Sequence, residues 1–112
     1  MEETIFRRIL KGEIPCEEIY SDEKCLAFKD VSPQAPVHIL IIPRKKIKSL
    51  KETSVDDIEI LGHLLLVASK TAKVTGLKSW RTVINTGEEA GQTVFHLHLH
   101  IIGGRELKWP PG

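Results

Sequence analysis

The chain has 112 residues, 41% of them hydrophobic and 28% charged, and its 16 basic and 15 acidic side chains leave a formal net charge of +1. That length suits a single domain, 1–112, with a modest core and leaves no room for a second. Nearly balanced charge without a basic block argues against a nucleic-acid surface, and no apolar run reaches signal-peptide or bilayer-spanning length, so an intracellular, cytoplasmic protein without membrane partners is expected.

In chain order, TIFRRILKG (4–12) places Ile5, Phe6, Ile9 and Leu10 on one face of a short helix, with Thr4 as N-cap and Gly12 as its stop. EEIY (17–20) and KCLAFKD (24–30) flank the turn-like SDE and predict a hairpin. After the double-proline break SPQAP comes VHILIIP (37–43), β-branched, apolar and closed by Pro43, which reads as a central strand. The basic RKKIKSLKE that follows reads as a solvated loop. Ser54 and Asp57 have capping-box spacing, and Ile58, Leu61, Leu65, Ala68 and Ala72 recur with helical period up to Gly76, predicting one long helix over a sheet face. WRTVIN (80–85) reads as a strand, and a glycine-containing loop leads from it into HLHLH. His63, in mid-helix, reads as a surface or boundary residue. Cys16 and Cys25 are the only cysteines, without CxxC spacing, so reduced thiols are expected. The order of elements predicts an α+β domain on a largely antiparallel sheet.

His96, His98 and His100 are three of five histidines, spaced two apart. Strand geometry puts them on one face and Leu97, Leu99 and Ile101 on the other, whereas a helix would scatter them. A solvated strand explains one histidine better than a row of three. Metal ligation is feasible for neighbours about 6.6 Å apart, but the outer pair, about 13 Å apart, cannot share one ion without a sharp bend. Phosphate chemistry gives each imidazole work, since a neutral imidazole can attack phosphorus while its neighbours bond phosphoryl oxygens. The preceding loop carries Asn85, Gly87, Gly91, Gln92 and Thr93, small residues and neutral donors able to face an anion. Alone it is an ordinary turn; beside the histidines it becomes a second wall of a phosphate site.

HLHLHII resembles the histidine-triad pattern, and DVSPQAPVHILIIP, NTGEEAGQTVFHLHLHIIGGR and WPPG resemble the Hint branch of the histidine triad (HIT) superfamily, over about Ile5 to Gly112. The resemblance implies a HIT-like fold with a five-stranded, largely antiparallel sheet, one long and one short helix, and a sheet continuing across a homodimer. It also implies a purine nucleoside phosphoramidase that releases a nucleoside monophosphate through a nucleotidyl-histidine, with dinucleoside polyphosphate hydrolysis or a regulatory nucleotide-binding role as alternatives. In that pattern His98 is the nucleophile, its other nitrogen donating to a main-chain carbonyl near His96. His100, Asn85, Gly91, Gln92 and Thr93 surround the phosphate. Asp30 accepts from the ribose hydroxyls, Ile5, Phe6, Ile9, Phe28 and Val31 form the base slot, and His96 and His38 support the network. Residues 103–112 are expected as a tail reaching the partner's active site through Trp109. Neither cofactor nor metal is implied.

Overall fold

Thr4 caps the first helix, its hydroxyl accepting from Arg7 N at 3.1 Å, and α1 runs over Ile5–Leu10 before Gly12 turns the chain with φ 78°. The computed structural model describes residues 3–112. The expected hairpin forms from β1 (Glu18–Ser21) and β2 (Cys25–Lys29). Its turn is held by Asp22 Oδ1, which accepts from Lys24 N and Cys25 N, both at 2.8 Å. β3 (Val37–Pro43) lies between β2 and β5 (Leu99–Gly103), and β4 (Trp80–Val83) closes the far side of β5. All four pairings are antiparallel and the order is β1-β2-β3-β5-β4, so the structure is the α+β, five-stranded arrangement expected.

Alternation along the strands gives the sheet two apolar faces. Ala27, Ile39, Ile41, Leu99 and Ile101 pack with Leu64, Val67, Ala68 and Ala72 of the long helix α2 (Ile58–Val74). On the other face Leu26, Phe28, Leu40 and Ile42 pack with Phe6 of α1. Beyond Val37 every side chain of β3 is thus buried on one side or the other, which is why VHILIIP is a near-continuous apolar run. Gly103 ends β5 where a Cβ would stand 2.9 Å from the Leu77 methyls. Among the described residues no helix is long and apolar enough to cross a membrane.

Four expectations are corrected. RKKIKSLKE is not wholly solvated: Ile47 and Ser49 are buried, Ile47 O accepts from Leu97 N at 2.7 Å, and Ser49 caps a short 3-10 turn, Leu50–Glu52. The Ser54–Asp57 capping box forms, but around a 3-10 turn (Val55–Asp57) that precedes α2. The buried face of α2 then runs through Leu64, Val67, Ala68, Thr71 and Ala72, leaving Ile58 and Leu65 exposed. Finally, His96 and His98 precede β5 rather than belonging to it. The alternation persists, with Leu97 in the α2-side core, because the Leu97–Ile47 bond replaces a ladder rung.

Candidate active site

The α1 face of the sheet opens into a cleft of about 410 Å³. Ile5, Phe6 and Ile9 enter it from α1, Phe28 and Asp30 from the end of β2, and Val31 from the loop beyond. His98, His100 and Thr93 line the same cleft. The structure therefore brings together nine of the residues singled out in the sequence. Among those it adds are Leu40, Ile14, Pro15, Cys16 and Val94. Leu40 was legible in principle, since it shares the β3 face with His38; the others lie in loops without periodicity.

Main-chain groups decide the tautomers. His98 Nδ1 lies 2.7 Å from the His96 carbonyl, which can only accept, so Nδ1 carries the proton and Nε2 keeps its lone pair. The same logic gives His96 Nε2–H to Pro43 O at 2.8 Å. Gln34 N–H donates to His38 Nδ1 at 3.0 Å, so neutral His38 carries its proton on Nε2 and donates it to His100 Nδ1, 2.9 Å away. His100 in turn bears its proton on Nε2. Asp30 Oδ2 stands 3.3 Å from His38 Nε2, and Asp30 Oδ1 accepts from Ser32 N at 2.8 Å.

The row is kept neutral chiefly by burial. Desolvation holds His38, His96 and His98 below the ordinary imidazole range and pushes His100 down to about 4, where the neighbouring His98 and His38 act in the same direction. The Asp30 carboxylate pulls His38 upward, yet burial prevails, so His38 stays neutral and the 3.3 Å contact is not an ion pair. The Phe6 ring packs edge-on against His98 with centroids 4.9 Å apart and against Phe28 at 5.8 Å, excluding water from one side of the imidazole. A neutral, oriented imidazole with a free Nε2, beside a second imidazole offering Nε2–H, can attack an electrophilic phosphorus and bond its oxygens.

Other expected members stand outside this cleft. Gln92 is buried, and its amide donates to Lys48 O at 2.8 Å and Val94 O at 3.1 Å while accepting from Gly87 N at 2.9 Å. Both donor hydrogens are thereby engaged, so Gln92 braces the loop rather than reaching a phosphate. Asn85 lies beside Gly91, whose φ of 95° bends the loop; a Cβ there would be 4.0 Å from the Asn85 amide nitrogen. His96 is buried, its ring edge-on to Phe6 with centroids 6.4 Å apart. Trp109 is 82% exposed, on a tail anchored to its own sheet by Arg81 Nη2 donating to Lys108 O at 2.8 Å. His63 is the boundary residue expected, with Nε2 2.7 Å from Asp22 Oδ2. Among the described residues, Asp30, His38 and His100 also offer ligand atoms within 4.8 Å of one another, though an ion there would have to break the His38–His100 bond.

Comparison with known proteins gives the same fold. The HIT domain family matches residues 11–107. An uncharacterised HIT-like protein of Synechococcus elongatus is 54% identical, across 99% of this chain and 98% of its own. A second, from Synechocystis, is 55% identical with the same coverage of both chains. Among solved structures, a HIT family hydrolase from Legionella pneumophila superposes with a TM-score of 0.96 at 44% identity, covering 98% of this chain and 100% of the other.

Proposed function

The chain belongs to the HIT family, and on that premise we propose that it is a nucleotide hydrolase of the Hint branch, a purine nucleoside phosphoramidase. The observation that carries this reading is the placement of His98: its Nε2 is unprotonated and faces a cleft that has Asp30 and an apolar slot within a nucleoside's reach. Membership of the family and likeness to a HIT family hydrolase support hydrolysis at phosphorus.

In the proposed first step His98 Nε2 attacks the α-phosphorus and the P–N bond breaks, the amine taking up one proton as it leaves. The Nε2–H of His100 and the Thr93 hydroxyl bond the phosphoryl oxygens as charge redistributes. Water then adds to phosphorus, releases a proton that replaces the one consumed, and frees His98 as neutral imidazole. Asp30 accepts from the ribose hydroxyls, and Ile5, Phe6, Ile9, Phe28 and Val31 take the purine. Asn85 and Gly91 shape the loop over the phosphate, with Gln92 bracing it.

We further propose a homodimer. β4 has one open edge, and α2 presents Leu65 and Leu66 at 53% and 73% exposure together with Ile58, an apolar stripe that a second copy would cover. In that assembly the tail 103–112 would carry Trp109 to the partner's active site, toward the leaving amine.

Competition between an adenosine 5′-phosphoramidate and a diadenosine polyphosphate at equal concentration tests the reading. A larger kcat/KM for the phosphoramidate supports it. Preference for the dinucleotide would move the protein to the dinucleoside polyphosphate hydrolases, and tight nucleotide binding with turnover of neither would make it a regulatory binding protein.

A further inference from the structure

On the opposite face of the sheet from the cleft, three side chains from separate elements converge. Asp22 follows β1, Cys25 opens β2 and His63 sits in the second turn of α2, and a carboxylate oxygen, a sulfur and an imidazole nitrogen there all lie within 4.8 Å of one another. We propose that Asp22, Cys25 and His63 form a binding site for a divalent transition-metal ion of the zinc type, with water completing the shell.

The donor set is the mixed sulfur, nitrogen and oxygen set that such an ion accepts. The carboxylate is already oriented: Oδ1 is tied to Lys24 N and Cys25 N, and Oδ2 accepts from Tyr20 OH at 2.9 Å, the supporting hydrogen bonds that steady a ligating carboxylate. The Arg44 guanidinium is close but turned away from that carboxylate, donating to the Asp22 carbonyl at 2.8 Å and to Ser21 Oγ at 2.7 Å. Cys25 forms a buried floor, while the Asp22 and His63 side chains are 20% and 27% exposed and give an ion a way in.

Without an ion the same atoms are joined by the 2.7 Å hydrogen bond between His63 Nε2 and Asp22 Oδ2. Binding replaces that hydrogen bond with bonds to the metal. Neutral His63 shifts its single proton from Nε2 to Nδ1 and ligates through Nε2, Cys25 loses its thiol proton to solvent, and Asp22 stays ionised. One proton is released, and a dication between a thiolate and a carboxylate is formally neutral, which suits a half-buried position. The ion would clamp the β1–β2 turn onto α2, a join otherwise made by His63 alone among the charged pairs described.

The test is cobalt(II) titration of the full-length protein, read by sulfur-to-cobalt charge-transfer absorption, which imidazoles alone cannot produce and for which Cys16, in the cleft, is the one other sulfur ligand to control. The expected result is a band saturating at one equivalent, kept in Cys16→Ser and lost in both Cys25→Ser and His63→Gln. His63→Gln changes a partly exposed side chain and is expected to fold even if the core substitution does not. Zinc should displace the cobalt and raise Tm in the wild type but not in His63→Gln. A missing band, a band that survives His63→Gln, or a band lost only in Cys16→Ser would each overturn the site.

Discussion

The His96 carbonyl fixes the proton of His98 on Nδ1, and the Gln34 N–H, acting through His38, fixes that of His100 on Nε2, so neighbouring imidazoles present opposite characters to the cleft. One offers a lone pair and the other a proton, an assignment that the row HLHLH cannot reveal because the deciding groups belong to the backbone. Asp30 holds a comparable position. It is fixed by Ser32 N and neighbours His38, leaving lone pairs for the ribose contacts proposed for it. Asp30→Ala is expected to lower kcat/KM for ribonucleoside phosphoramidates by roughly 1.5–3 kcal/mol, the range for hydrogen bonds to a charged group, and to blunt discrimination against 2′-deoxy analogues. Steady-state kinetics on the two sugar series checks it; undiminished discrimination would place sugar recognition elsewhere.

At the scale of elements, Ser54 connects the basic segment to α2 by accepting from Asp56 N while its own N–H donates to Asp57 Oδ2 at 3.0 Å. Ser54→Ala should cost about 0.5–2 kcal/mol of stability, read from urea unfolding, with kcat unchanged because the box lies on the side remote from the cleft. This cap, the Thr4 cap and the apolar run Val37–Pro43 were legible because each is local: a side chain bonding its own turn, or a strand buried on both faces. The phase of α2 was not. The run Leu64–Leu65–Leu66–Val67 offers apolar residues to every direction, so period alone could not choose among them, and packing against Ile39, Ile41 and Leu99 selected Leu64 and Val67. Ile47 was missed because a single apolar residue among lysines carries no periodic signal; its burial comes from the bond to Leu97. Six of the cleft's apolar and acidic residues, and its two histidines and threonine, were legible by resemblance, whereas Gln92 turned out to brace the loop because three backbone groups compete for its amide.

For the whole molecule, the histidines tie stability to pH. All four of His38, His96, His98 and His100 have folded pKa values below the ordinary 6.5, so between 6.5 and the depressed values the unfolded chain binds more protons than the folded one. Stability from this source is complete above about pH 7 and is lost as pH falls from 6.5 towards 4, before the depressed Asp22 and Asp57 carboxylates add their own loss at lower pH. The His100 share is on the order of 2 kcal/mol once its partial exposure is allowed for. Urea unfolding from pH 8 to 4 checks this: a steady fall below 6.5 is expected, and a flat profile to pH 4.5 would contradict it. For the proposed dimer, Leu66→Glu places a charge in the exposed stripe of α2 and should yield a folded monomer by sedimentation, where the wild type sediments as a dimer; a wild-type monomer would refute the assembly.

The proposed covalent role of His98 has the most direct test. Protein mixed with an adenosine 5′-phosphoramidate and quenched within one turnover should carry an adenylyl group on the peptide that contains His98, detected by mass spectrometry. His98→Ala should lack the adduct and lose more than the roughly 10²–10⁴-fold expected of a single acid–base group, while binding the nucleoside monophosphate nearly as before. Turnover by a homogeneous His98→Ala protein, or rapid wild-type turnover through which no adduct ever forms, would contradict it.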